Sequence, residues 1–436
     1  MQAWSADRVA RAAGARLAGV GPNSGLGGPS RVVIDSREVG PGDLFVGLPG
    51  KRADGGRFAA QALAAGAWGV LVAPEHAEAA RCAKPGALLA ADDPLTALGR
   101  LATSWRRELA CPVVGITGSV GKTSTKDLLA AMLAPHRRVV ASPQNWNTEI
   151  GLPLVVLSAP RGTEALVLEM AMRGAGQIAE LTAIAEPDVG VITNVGPVHL
   201  ELLGSLEAIA DTKAELIAGL RPGGTAVVPA REPLLERHLR EDVTTVTFGA
   251  GGDVAELPTG LHVPYASAHM IRNALAALGA AHAVGVEPAG ELHVELSELR
   301  GQRLELPGDV IVVNDCYNAN PMSMRAALDD LAASASGRRV AVLGDMLELG
   351  PDERRFHAEV GARAREAGVD VLVTVGPLAQ HIGAGYGGGN VHAVPDARAA
   401  AELVPSLLEP GDTVLVKASR GVGLEAVADA LQARAT

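Results

Sequence analysis

From Cys111 onward the chain alternates short apolar runs with longer amphipathic stretches. PVVGIT is followed by KTSTKDLLAAML, ALVLEMA (165–171) by QIAELTAIA, and VGVITNV (189–195) by a stretch of helical period through Lys213; TAVVP and TTVTF come later. A continuous apolar run rich in β-branched residues predicts a strand covered on both faces. Its alternation with helical periods predicts a parallel sheet with right-handed crossovers. The rhythm restarts near Pro307 with VIVVND, RRVAVLGD, VDVLVTVG and TVLVKAS, enough for a second open α/β sheet. The first part of the chain differs. RVVIDS (31–36), DLFVGL (43–48), WGVLVA (68–73) and ALLAAD (87–92) are short strand candidates punctuated by Gly, Pro and Asp, and a helical segment from Leu95 to Leu109 leads out of them. The expected fold class is α/β in three domains: a small mixed α/β unit over 1–94, a central unit with a mainly parallel sheet over 95–306, and a C-terminal Rossmann-like α/β unit over 307–436. GGDVAELPTG (251–260) reads as a loop.

Composition agrees with that pattern. Of 436 residues, 48% are hydrophobic but only 3% aromatic, so sheet and helices must pack through Ala, Val, Leu and Gly. The net charge of −11 with no basic run excludes a sequence-independent grip on nucleic acid. An anionic substrate would need a local positive site to override that field. Cys82, Cys111 and Cys316 lie far apart with no CxxC pair, which suggests neither a disulfide framework nor a zinc site. The opening MQAWSADRVA has no basic segment before an apolar run, and no stretch is long and apolar enough to span a membrane. The expectation is a cytoplasmic, monomeric enzyme.

The clearest chemistry lies in PVVGITGSVGKTSTKDLLAAML. A buried strand runs into Gly118, Ser119, Val120, Gly121, Lys122, Thr123 and Ser124, and a helix follows. Glycines let backbone N–H groups turn inward around phosphate oxygens, and the helix N-terminus adds partial positive charge. Lys122 can reach the terminal phosphates of a nucleoside triphosphate, and Thr123 can offer its hydroxyl to magnesium. The strict consensus wants a glycine at position 116, where this chain has Ile116; the shorter form TGxxGKT[ST] is present instead. The central unit is thus expected to be a P-loop ATPase domain.

Downstream residues read less sharply by themselves. Glu169 ends an apolar run, where a carboxylate faces the ligand edge of an open sheet and could hold magnesium; a solvated strand-end acid is the plain alternative. His199, after VGVITNVGPV, could meet a metal or a phosphate, or be a surface loop histidine. Lys213, within an amphipathic helix, reads locally as an exposed lysine. Asn273 lies near a helix start. Asp315, Tyr317, Asn318 and Asn320 follow a strand and also fit ordinary turn chemistry. Arg300 is a phosphate candidate near the second domain junction. Lys417, Ser419 and Arg420 end the last strand, where basic groups can take a carboxylate or phosphate.

Taken in order, IDSREVGPGDLFVGLPG, GITGSVGKTSTKDLL, SPQNWNTEIGLPLVVL, LEMAMRGAGQIAEL, ITNVGPVHLELLGS, DTKAEL, HMIRNALAAL, NDCYNANPMSM, VLGDMLELG and VLVKASRG resemble the Mur ligase family over nearly the whole chain. Within it they resemble the branch that joins D-alanyl-D-alanine to a UDP-N-acetylmuramoyl-tripeptide. The resemblance implies ATP and two Mg2+ ions, with ATP phosphorylating the terminal carboxylate and an amine then displacing phosphate. It implies that Lys122 cradles ATP, that Thr123 and Glu169 serve one magnesium and His199 the second, and that Lys213 carries a CO2-derived carbamate that binds metal. This last role reverses the local reading of Lys213. Asn273, Asp315 and Asn318 would hold adenine and ribose, and Arg300 would reach phosphate. Ser36 and Arg37 would contact the UDP end. Asn145, Asn147, Thr148, Lys417, Ser419 and Arg420 would lie on the peptide and dipeptide side.

The chain departs from the family pattern at Asp54-Gly55-Gly56, where Asp-Gly-His is frequent, at Thr148, where Asn is frequent, and at Ser267-Ala268 before His269. Three rival readings fit less well. The sister ligase that adds the third peptide residue carries a DNPR-like segment that is missing here. Folylpolyglutamate synthase lacks the DSR…PGDLF domain. A nucleotide-binding switch would need none of the downstream acid, histidine and lysine series.

Overall fold

The computed structural model describes all residues except 2, 26, 52, 82–85, 266, 296, 298 and 436; Cys82 therefore lies outside the described residues. Three sheets confirm the α/β class. The first holds Arg16–Gly19, Arg31–Val33, Asp43–Val46, Gly69–Val72 and Ala87–Ala90 (β1 to β5) in the order β1-β5-β4-β3-β2, with only β1 antiparallel. The second holds Val113–Thr117, Val139–Ala141, Ala165–Glu169, Val189–Ile192, Thr225–Pro229 and Thr244–Phe248 (β6 to β11) in the order β11-β10-β9-β6-β8-β7, parallel throughout. A two-stranded ribbon, Leu261–His262 and Gly290–Glu291 (β12 and β13), follows. The third holds Gln302–Leu306, Val310–Asn314, Arg339–Gly344, Val371–Val375, Val391–Val394 and Thr413–Lys417 (β14 to β19) in the order β14-β15-β19-β16-β17-β18, with β14 antiparallel to its neighbour.

Every strand anticipated as an apolar run is present. The ones not anticipated are edge strands or short ones whose residues stay partly in water: β1, β7, β12, β13, β14 and β18. A half-covered strand need not read as a continuous apolar run, so periodicity misses it. The hairpin β14–β15 also corrects a boundary. The expected division after Leu306 falls inside this hairpin, and pairing of Gln302 with Asn314 through Leu306 with Val310 places β14 in the C-terminal sheet.

The helix Pro94–Leu109 joins the first two domains rather than opening the second. Asp93 caps it by accepting the amides of Leu95 (3.0 Å) and Thr96 (3.3 Å). Its apolar face lies in one continuous core with the helix Ala6–Ala13 and with Leu152, Val155 and Leu181 of the central domain. Trp4 and Trp105 meet edge-to-face at 5.5 Å inside that core, a contact adding about 1 kcal/mol to simple burial. The N-terminal domain is thereby fastened to the central one. The C-terminal domain keeps two cores of its own, one on each face of its sheet.

Candidate active site

The loop after β6 is shaped by two glycines. Gly118 has φ +150 and Gly121 φ +81; a Cβ on the first would lie 1.9 Å from Thr193 Oγ1 and on the second 2.4 Å from Asn273 Oδ1. The helix Lys122–Leu133 then begins with no side chain capping it. Its first amides are left pointing at the site, which is the condition for binding an anion there. Asn194 holds the start of the loop: its Oδ1 accepts the amides of Ser119 (3.1 Å) and Val120 (3.0 Å), and its Nδ2 donates to Val120 O (2.9 Å). The Ser119 hydroxyl bridges to Gly196, donating to its carbonyl at 2.9 Å. Lys122 Nζ donates to Gly118 O at 2.8 Å and lies folded over the loop.

Beside the loop, Glu169 at the end of β8 is buried, 1% exposed, so it is not a solvated strand-end acid. Its Oε2 accepts from the Thr123 hydroxyl at 2.8 Å and its Oε1 from Asn147 Nδ2 at 2.8 Å. A hydroxyl and a carboxylate brought together at the mouth of an anion site are hard oxygen donors that fit Mg2+. Among the described residues, no three His, Cys, Asp or Glu side chains gather into a metal cage.

Lys213 overturns its local reading as an exposed helical lysine: it is 1% exposed in the helix Leu206–Ala218 and forms no hydrogen bond or ion pair among the described residues. Burial, and then the positive charge of Lys122, push its ammonium well below the usual lysine range. A neutral amine is the form that can add CO2, so the residue fits the carbamate expectation chemically. Burial lowers Lys122 as well, with Glu169 opposing and Arg300 reinforcing. His199 caps the helix Leu200–Leu203, and its Nδ1 lies 2.5 Å from Glu348 Oε2 of the C-terminal domain. Burial lowers its imidazole most; Glu348 opposes, and Lys122 and Lys213 push the same way as burial. Lys122, Glu169, His199 and Lys213 therefore share one electrostatic neighbourhood.

Across the junction with the third domain lies a cavity of about 130 Å³ bordered by Thr123, Asn145, Arg300, Tyr317 and Arg420. It is small for a whole nucleotide and suits a phosphoryl or acyl group. The Arg300 guanidinium stacks over the Tyr317 ring at 3.8 Å. Burial raises the Tyr317 phenol, and the charge of Arg300 opposes it. Asn273 abuts the loop at Gly121. Lys417 Nζ donates to Asp315 Oδ2 (2.6 Å), Asp315 O (3.3 Å) and the backbone carbonyl of Asn318 (2.9 Å), and Asn318 Oδ1 accepts the Ala319 amide at 2.9 Å. In this arrangement Lys417 is an internal strut. Ser419 likewise braces neighbouring loops, accepting the Leu347 amide at 3.0 Å and donating to Ala319 O at 3.3 Å.

The Thr148 hydroxyl lies 3.4 Å from the Gly151 amide, at the start of a helix rather than in the cavity. Ser36 and Arg37 lie in the turn after β2, where Arg37 pairs with Asp35 at 2.5 Å. A separate cavity of about 240 Å³ in the first domain is bordered by Gly47, Asp54, Ala73, Glu75 and Asp92, and the structure does not bring Ser36 or Arg37 to it. The departure at Gly56 is filled from elsewhere. A Cβ there would lie 2.2 Å from His76 Cδ2, and His76 Nε2 sits 3.0 Å from Asp54 Oδ2.

Comparison with known proteins adds an independent line to this geometry. The family model for the Mur ligase middle domain matches residues 116–281, that for the Mur ligase glutamate ligase domain residues 299–420, and that for the Mur ligase catalytic domain residues 30–106. The chain belongs to the Mur ligase family. It is 38% identical to the UDP-N-acetylmuramoyl-tripeptide–D-alanyl-D-alanine ligase of Synechocystis over 93% of this chain and 92% of that one. The enzyme of the same name from Mycobacterium tuberculosis strain H37Rv is 41% identical over 92% of each. Among solved structures, a MurF from Acinetobacter baumannii superposes with a TM-score of 0.83 at 28% identity over 98% of this chain and 99% of that one. MurF from Thermotoga maritima in complex with ADP does so with 0.81 at 32% identity, over 93% and 98%.

Some residues of this Mur ligase site have no clear signature in the sequence. Asn194 and Glu348 sit inside motifs that do not single them out, and nothing local marks Gln144, which also borders the small cavity. Only the VLGDMLELG segment carries a signal for Glu348, and no local pattern shows which of its acids faces another domain.

Proposed function

We infer that the chain is an ATP-dependent ligase that joins D-alanyl-D-alanine to UDP-N-acetylmuramoyl-tripeptide, giving the pentapeptide precursor of peptidoglycan. One observation carries the reading. The uncapped helix with its Thr123–Glu169 pair opens onto a small cavity that Arg300 and Arg420 close from the side of the third domain. That geometry suits phosphoryl transfer to a carboxylate followed by attack of an amine. A tripeptide carboxylate oxygen forms a bond to the γ-phosphorus while the bond to ADP breaks. The dipeptide nitrogen then bonds the acyl carbon, phosphate departs with the C–O electron pair, and the nitrogen loses a proton.

The protein's part is alignment and charge compensation. The loop amides and Lys122 orient the triphosphate. Arg300 is positioned to meet the charge that moves onto the transferred group, and Tyr317 fixes the plane of its guanidinium. Thr123 and Glu169 would hold one divalent ion, and His199 with a carbamate on Lys213 the second. Such ions would draw negative charge off the phosphoryl oxygens. The buried, lowered amine of Lys213 supports the carbamate. Domain closure would keep water from the acyl phosphate. The UDP end belongs to the first domain, with Ser36 and Arg37 as proposed contacts, and the dipeptide to the third. Among the described residues no helix is long and apolar enough to cross a membrane, which is compatible with a monomeric enzyme of the cytoplasm.

The test is phosphate release by the purified chain with ATP, Mg2+, UDP-N-acetylmuramoyl-tripeptide and D-alanyl-D-alanine. Release should require both peptide substrates; release with neither, or none with both, rejects the reading. Lysine- and diaminopimelate-containing tripeptides compared in the same assay identify the third residue that the enzyme accepts.

A further inference from the structure

The contact between His199 and Glu348 crosses a domain boundary, and both partners are held in uncommon backbone conformations. His199 has φ +53 and Glu348 φ +61, left-handed values that residues bearing a Cβ adopt only where their surroundings demand it. The surroundings of Glu348 do so. On one side of it, Asp345 accepts the amides of Leu378 (3.0 Å) and Ala379 (2.7 Å), and its own carbonyl accepts the Ser419 amide (3.0 Å). The Met346 amide donates to His357 Nε2 at 2.9 Å, and the Leu347 amide to Ser419 Oγ at 3.0 Å. On the other side Leu349 is buried, and Gly350 abuts Glu201 of the central domain. The loop is rigid on both flanks, and the one acid it presents reaches out of its own domain.

The receiving side is also built. Leu200, directly after His199, packs against the central core and the C-terminal core at once. The histidine therefore stands where the two domains share apolar contact. Glu348 engages Nδ1, and Nε2 has no hydrogen-bond partner among the described residues. A carboxylate that holds one imidazole nitrogen fixes the tautomer and the ring direction and makes the other nitrogen a better metal ligand.

We propose that Glu348 is a positioning residue supplied by the C-terminal domain. Its carboxylate orients His199 toward the divalent ion of the central site, so that this ion's ligand set is complete only when the third domain is closed. The proposal rests on the ligase reading only in placing a divalent ion at His199. A plain surface ion pair would tie the domains together and leave metal affinity alone.

The experiment uses the full chain with ADP and Mn2+ as the probe, free Mn2+ being read by electron paramagnetic resonance. Glu348→Gln should weaken Mn2+ binding by about 10-fold or more, Glu348→Asp should regain part of the loss, and Leu347→Ala, on the same loop, should bind as the wild type does. In a His199→Ala background Glu348→Gln should add no further loss, because Glu348 acts through that ring. Wild-type Mn2+ affinity in Glu348→Gln overturns the proposal, and so does an equal loss in Leu347→Ala or a full additional loss in the His199→Ala background. A wild-type chain that shows this Mn2+ pattern but never releases phosphate would refute the ligase reading and leave the role of Glu348 standing.

Discussion

Two lysines of this molecule are almost equally buried and do opposite things. Lys417 at the end of β19 is 2% exposed, and its ammonium meets the Asp315 carboxylate and two backbone carbonyls. Lys213 in the central domain is 1% exposed and has no partner among the described residues, with Lys122 as its nearest charged influence. A buried charge needs a counter-charge and hydrogen bonds, or it gives up its proton. Lys417 has its counter-charge and fastens the loop after β15 to β19. Lys213 has no such counter-charge, and burial, then the charge of Lys122, push its ammonium well below the usual lysine range. The difference separates a strut from a chemical group better than sequence position does, since both lie near the ligand edge of an open sheet.

The largest expected effect falls on the unpaired lysine. Lys213→Ala should lower turnover by on the order of 10²–10³-fold with the melting temperature preserved, and acetate should partly restore activity by supplying the missing carboxylate. Full activity in this variant would remove the carbamate from the mechanism. Next comes the paired lysine, whose loss should be read in stability. Lys417→Met leaves the Asp315 carboxylate without its partner and should cost about 3 kcal/mol in denaturant unfolding of the C-terminal domain. The double variant Lys417→Met with Asp315→Leu should recover most of that cost. If the single variant is as stable as the wild type, Lys417 is no strut and its contacts need another explanation.

The smallest effect should carry the opposite sign. A lysine whose folded-state value lies below its unfolded value binds fewer protons folded than unfolded, so it penalises folding between the two values, and stability rises with pH across that interval. In CO2-depleted buffer Lys213→Met should therefore melt higher than the wild type near pH 7. The gain should be about 1 kcal/mol, or a few degrees, and shrink as the pH climbs toward the ordinary lysine range near 10.5. A gap that widens with pH would contradict the neutral buried amine.

Parts of the site are legible in the residue order alone. The loop Gly118–Ser124 is readable because phosphate binding needs glycines, a lysine and a helix start in one local run. Glu169 is visible as an acid ending an apolar strand. Lys213 is not: on an amphipathic helix it looks like a solvated residue, and only family resemblance points the other way. Asp315 and Asn318 fit turn chemistry locally and become nucleotide contacts only through the resemblance, and no local pattern shows that the Asp315 carboxylate and the Asn318 carbonyl meet Lys417. Glu348 lies in the VLGDMLELG segment, but nothing local shows that this acid faces another domain. The contacts of these residues lie on chain segments roughly 100 or more positions away.

The amino-acid sequence by itself determined the α/β class, the strands of the sheet interiors, the phosphate loop and the family, because each is written in local periodicity or in a short run of residue types. Only the tertiary structure decided which lysine is paired and which is bare, that the helix Pro94–Leu109 shares its core with two domains, that β14 belongs to the third sheet, and that an acid of the C-terminal domain reaches His199. Burial and pairing are properties of what packs against a residue, and that partner comes from a distant part of the chain.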